Sequence, residues 1–204
     1  MPKVGMEPIR RKQLIEAVIE CIGMFGYNKT TVQKISKQAK VSTGVLHHYF
    51  ANKDALIEEA QKYMLSSLKQ AYLEAITGAV TPLQRLHAIV DATLLGEQSS
   101  SRGYGIWLSF WSECMYSPKL ARLEEISQRR HHSNLVYTLK QILPKEEAVK
   151  QAHIINALMN GLWLGNAIGS KSKILPINQM VYDYIDTLSE RHAINSVPLK
   201  LHCS

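Results

Sequence analysis

The sequence predicts an all-α protein, on three observations. Apolar residues recur three and four positions apart along nearly all of the 204 residues, as the buried face of an amphipathic helix requires. Val, Ile and Thr are not gathered into the alternating runs that a half-buried strand needs. Clusters of Gly, Ser and Pro cut the pattern into pieces of helical length.

The elements follow in order. Leu14, Ala17, Val18, Cys21, Ile22 and Phe25 form one stripe, and Gly26 ends that first helix where a left-handed residue is needed. Thr30 and Thr31 can cap a short second helix with Val32, Ile35 and Ala39 on one face, and Val41 fills the turn beneath it. Ser42 can cap a third helix that runs through Phe50. Asn52 can cap a long connecting helix carrying Leu56, Ala60, Tyr63, Met64 and Leu68, with no breaker before Gly78. Further helices are expected near 82–96, 103–116, 119–142, 145–168 and 177–190, and a loose tail over 191–204.

A composition of 46% apolar and 20% charged residues is that of an ordinary globular protein, without a run long enough to span a membrane. The N-terminus shows no secretory signal pattern, so a cytoplasmic location is expected. Cys21, Cys114 and Cys203 are far apart and odd in number, which argues against a disulfide framework and a thiolate zinc site. No nucleotide-binding loop, nucleophile elbow, zinc-protease helix or dinucleotide fingerprint is present, so no enzyme, metal or cofactor is expected. The net charge is +7, and residues 1–53 hold nine Lys and Arg against three Glu, which places the positive field at one end.

Two short helices joined by a tight turn cannot bury their apolar faces alone and must pack on the first helix. In the third, Leu46 and Phe50 face inward, leaving Thr43, Val45, His47, His48 and Tyr49 outward. Thr and His can bond base edges, Val can touch a thymine methyl, and His and Tyr can donate to phosphate. Gly44 lets the helix start come close to a duplex, and Lys53 adds charge at the start of the fourth helix. Joint chelation by His47 and His48 is poor, because adjacent helical residues point about 100° apart. Lys3, Arg10, Arg11 and Lys12 precede the first stripe and can act as an arm on phosphate or in the minor groove, or be a solvated charge run.

Thr30-Thr31-Val32 through Ile35, Ala39, Val41-Ser42, Gly44, Leu46, Tyr49-Phe50, Lys53 and Leu56 resemble the signature of the TetR family of transcriptional repressors. The resemblance implies a helix-turn-helix over residues 1–53 and a helical effector-binding and dimerisation domain over 54–190. It implies Thr31 and Gln33 near the DNA backbone, and Thr43, Gly44, Val45, His47, His48, Tyr49 and Lys53 facing a double-stranded operator. It also implies a homodimer, through the helices near 145–168 and 177–190. Lys40 stands where the family usually has glycine: it strains a left-handed turn, if one is kept, and can bring a further charge to phosphate.

The second part is nearly neutral and too large to be a tether. Tyr104, Trp107 and Trp111 are spaced i, i+3 and i+7, one helix face, and aromatic faces attract a quaternary ammonium. Glu113 and Glu97 are possible anions beside them, with Tyr116 and Trp163 as further walls; the competing reading is a plain core stripe. The block Trp107-Leu108 with Phe110-Trp111, Ser127 with Arg129-Arg130, Ser133 to Val136 and Gly161 to Leu164 is similar to family members that repress choline-to-glycine-betaine genes in response to choline. That implies an osmoprotection regulator with choline as effector. The alternatives are an apolar or drug-like effector and a non-specific chromosome-coating protein, which a salt slope without sequence preference would reveal.

Overall fold

In the computed structural model, residues 6–95, 99–169 and 176–191 are described, and these contain nine α-helices and no strand. They are α1 Met6–Phe25, α2 Val32–Gln38, α3 Thr43–Tyr49, α4 Lys53–Ile76, α5 Pro82–Leu94, α6 Ser101–Cys114, α7 Pro118–Leu139, α8 Lys145–Ile168 and α9 Ile177–Arg191. The all-α class is as the periodicity requires, and each predicted helix is present within a few residues. The tail expected over 191–204 falls, from residue 192 on, outside the described residues.

The chain divides into two compact units. One runs to Ser67 and takes up again over Ser100–Glu125; the other comprises Leu68–Ser99 and the chain from Ile126 onward. Compactness therefore groups the chain differently from the functional division expected at residue 53, because α6 packs on α1.

In the first unit the α1 stripe of Leu14, Ala17, Val18, Cys21 and Ile22 is buried against Ile35 and Ala39 of the second helix segment, Leu46 and Phe50 around α3, and Leu56, Ile57 and Ala60 of α4. Each fully buried aliphatic side chain contributes roughly 1.5–3 kcal/mol, which is what holds two seven-residue helices that would not form alone. Gly26, at φ +77, ends α1, and its carbonyl accepts from the buried Thr30 hydroxyl at 2.8 Å. Ile106 and Phe110 of α6 join the same core, and Gly23 makes that approach possible: a Cβ there would lie 3.1 Å from Ile106 Cγ1. The arm expectation needs correcting for Arg10, Arg11 and Lys12. They lie inside α1, whose first turn carries Glu7 against the helix dipole, so good helix formers extend the helix upstream of the apolar stripe.

In the second unit α5 packs on α9, and α8 on both. Leu86, Ile89, Val90 and Leu94 meet a core that also holds Ala148, Ala152, Ile155, Met159, Val181, Ile185 and Leu188. Thr81 and Gln84 form a reciprocal capping box at the start of α5, with Pro82 in its first turn. A polar seam fixes α9: His87 Nε2 lies 2.9 Å from Asp186 Oδ1, the His87 ring stacks on Tyr182 at 4.1 Å, and Tyr184 donates to Gln151 Oε1 at 2.6 Å. Burial pushes the Tyr182 hydroxyl up to about 12, with Asp91 as its acceptor. No helix among the described residues is long and apolar enough to cross a membrane.

Candidate nucleic-acid interface and effector site

The helix-turn-helix is built from local capping chemistry. Thr31 Oγ1 accepts from Lys34 N at 3.3 Å and Ser42 Oγ from Val45 N at 3.3 Å, so each short helix has one orphan donor satisfied. Between them Val41 N donates to Ser36 O at 3.0 Å and Lys40 N to Lys37 O at 3.1 Å, closing the end of α2 through Lys40 at φ 53. The left-handed turn is thus kept with a lysine in it.

Of the residues read as facing DNA, Thr31, Gln33, Thr43, Gly44, His47 and His48 are exposed. Val45 and Tyr49 are half-buried; Tyr49 packs against the core, with the His48 ring set edge-on to it at 5.0 Å and 82°. Lys53 is also half-buried, its ammonium 5.0 Å from the Tyr27 ring centroid. Burial, with Glu113 and then Asp54 adding to it, pushes the Tyr27 hydroxyl up to about 12. Lys3 lies outside the described residues.

Arg11 has a role that spacing could not reveal. Its Nη1 donates to Tyr49 O at 2.9 Å and its guanidinium lies 4.6 Å from the Phe50 ring centroid, so it clasps the C-terminal end of α3. Gln13 braces the turn in the same way, donating to Ala39 O at 2.6 Å, while Arg10 donates to Gln13 at 2.7 Å. These contacts fix the pitch of α3 on α1.

On α6, Ser100 Oγ accepts from Gly103 N at 2.9 Å, which starts the helix two residues before its predicted start. Ile106 and Phe110 point into the core shared with α1, while Tyr104 and Trp107, both buried, and half-buried Trp111 occupy the adjacent face as one row. Glu113 does not belong to that row. It follows Ile106 and Phe110 at helical spacing and acts electrostatically on Tyr27. Tyr116 lies beyond the end of α6 and is 77% exposed, so it walls nothing among the described residues. Glu97 lies outside the described residues, and Trp163 is buried on α8 in the second unit.

Two features of the second unit were not anticipated. His131 Nε2 is buried with no hydrogen-bond partner among the described residues, and burial, with His132 adding to it, lowers the ring's pKa to about 4. Arg85, on α5, donates to Thr138 at 3.2 Å and to Tyr72 at 3.3 Å and lies over the Tyr137 ring. Among the described residues no group of three or more His, Cys, Asp or Glu could hold a metal ion.

Comparisons with known proteins agree with this architecture. Residues 14–60 match the family of bacterial regulatory proteins of the TetR family, and residues 82–190 match the BetI-type transcriptional repressor C-terminal family. The chain is 40% identical to the HTH-type transcriptional regulator BetI of Klebsiella pneumoniae, over 84% of this chain and 89% of that one. It is 37% identical to BetI 1 of Chromohalobacter salexigens, over 91% and 93%. Among solved structures, a transcriptional regulator from Pseudomonas aeruginosa PAO1 superposes with a TM-score of 0.76 at 27% identity, covering 91% of this chain and 93% of that one. A regulator from Saccharomonospora viridis, solved in complex with choline, superposes with a TM-score of 0.78 at 20% identity, covering 88% and 96%. A capped helix-turn-helix ahead of a BetI-type helical domain, with relatives matched over most of their length, makes this chain a member of the TetR family of transcriptional regulators, of the BetI-type repressors, and not an enzyme.

Proposed function

We propose that the chain works as a homodimer on a palindromic operator that controls choline-to-glycine-betaine genes, and that choline releases it. The observation that carries this reading is the exposed polar face of α3, Thr43, Gly44, His47 and His48, on a chain of this family. In a dimer, two such helices enter successive major grooves about 34 Å apart.

Dimerisation through α8 and α9 is supported by a row on α8 that faces no core. Ile154, Ala157, Gly161, Leu164, Gly165 and Ile168 are exposed at three- and four-residue spacing, and a Cβ at Gly161 or Gly165 would meet nothing within 4 Å. Small and aliphatic residues in such a row let two helices approach closely, and the occupant is a second copy of this chain.

For the effector, the Tyr104, Trp107 and Trp111 row offers aromatic faces of the kind that attract a trimethylammonium group. Glu113 is withdrawn as the anion, because helical spacing sets it on the other side of α6 from that row. The ligand shifts the equilibrium only by its differential affinity for the DNA-binding and released conformers. The same withdrawal of Glu113 favours the second reading, an uncharged apolar effector.

Nuclease footprinting on DNA from immediately upstream of the gene tests the proposal. Two protected half-sites related by a dyad, lost on adding choline, are expected. Protection without a dyad contradicts the dimer, and protection that survives saturating choline contradicts the effector.

A further inference from the structure

From residue 21 to residue 53 the sequence contains five Lys, two His and no carboxylate, and this is the stretch that carries the helix-turn-helix. Its lysines are used differently. Lys34 donates to Lys29 O at 2.8 Å and lies over the Phe25 ring, and Lys53 lies over Tyr27. Lys40 is exposed, its ammonium makes no ion pair or hydrogen bond among the described residues, and its backbone sits at φ 53, the one non-glycine residue there with positive φ. Its neighbours leave its side chain one direction: Ala39 is buried and Val41 packs against the core, so Lys40 projects into solvent at the entry to α3.

A glycine would adopt this conformation without a steric penalty, whereas a Cβ at positive φ is strained. Strain of this kind points to a use that the free protein does not show. We propose that Lys40 is a phosphate anchor, a DNA-contacting residue whose charge adds affinity for the duplex at the expense of a relaxed turn. The ammonium neutralises a backbone phosphate beside the groove that α3 enters and displaces a condensed counterion, without reading sequence. This rests on the operator-binding reading above.

The trade gives two effects of opposite sign in one variant. Lys40→Gly removes both strain and charge, so the melting temperature of the free protein rises by roughly 2–4 °C while DNA affinity falls. The loss is roughly five-fold at physiological salt for each ammonium removed, and the slope of log affinity against log salt becomes shallower by about one per protomer. Lys40→Asn tolerates the turn without a charge and reproduces the binding loss; Lys40→Arg retains affinity and slope. Fluorescence anisotropy across a salt series, on the upstream duplex and a scrambled duplex of equal length, reads all three variants. Equal losses on both duplexes support a phosphate anchor. Wild-type affinity and slope in both Lys40→Gly and Lys40→Asn overturn it, as does a loss confined to the upstream duplex. A wild-type chain that binds neither duplex overturns the operator-binding reading together with it.

Discussion

Two helices of this molecule each leave one face uncovered, and the two faces differ in chemistry. The α3 face offers Thr43, His47 and His48, while the α8 face offers Ile154, Gly161, Leu164 and Ile168, the last of them 70% exposed. Both helices bury their other side, Leu46 in α3 and Ile155 and Met159 in α8. The lesson is that an uncovered face names its partner's chemistry. Polar groups with spare donors suit base edges and phosphates, whereas an aliphatic row with glycines suits another protein surface.

The comparison breaks most completely at α8. Gly161→Glu places two charges in the proposed interface, and because a Cβ at that position meets nothing, the fold of the single chain is spared. The dimer dissociation constant should rise by on the order of 100-fold or more, read by sedimentation velocity, and operator affinity should fall with it. A dimer of unchanged strength would assign this face to something other than a second copy.

On the α3 side, Thr43→Ala with His48→Ala should cost about 1–3 kcal/mol of operator affinity for each base-edge interaction removed, and should leave the sedimentation of the dimer untouched. Retention of full preference for the upstream duplex over a scrambled one would move base reading elsewhere.

A histidine of α7, half-buried with its Nε2 shut away from solvent, adds a pH dependence to the second unit. His131 has a folded pKa of about 4, below its unfolded value, so the unfolded chain binds the extra proton between these two values. The neutral ring's stability contribution is complete above about pH 6.5 and is lost as pH falls toward 4, on the order of 2–3 kcal/mol. Denaturant titrations across that range should show the fall, and His131→Leu should flatten it; an equally steep fall in His131→Leu would assign it to other groups.

The smallest effect concerns the cap of α3. Ser42→Ala removes the acceptor for Val45 N and should cost about 1 kcal/mol in thermal unfolding, whereas Ser42→Asp should retain most of it. A Ser42→Ala melting curve that overlays the wild type would mean that packing by Leu46 and Phe50 alone sets this helix.

What the sequence made legible was local. Periodicity placed every helix because a buried stripe such as Leu14 to Ile22 repeats at the helical period whatever it packs against. Turn chemistry placed Thr31 and Ser42 as caps, and the family resemblance, with its usual glycine, marked Lys40 as a residue at odds with a left-handed turn. The rest depended on interactions between distant residues. Nothing near Arg11 says that it reaches Tyr49 O, 38 positions away, and Arg10 to Lys12, which the sequence offers as an arm or a solvated charge run, lie in α1. Likewise the aromatic row on α6 was legible, but Glu113 was grouped with it by proximity in sequence, whereas helical geometry sends it to the Tyr27 side. His131 Nε2 was missed because burial of a single nitrogen leaves no mark in a sequence.

The most direct test of the central claim is operator binding by fluorescence anisotropy on the upstream duplex at fixed salt, with and without millimolar choline and with glycine betaine as control. Release by choline alone, weakened by Trp107→Phe with Trp111→Leu while binding without choline is retained, is the predicted result. Tight binding to the duplex that is indifferent to choline would contradict the account of the effector.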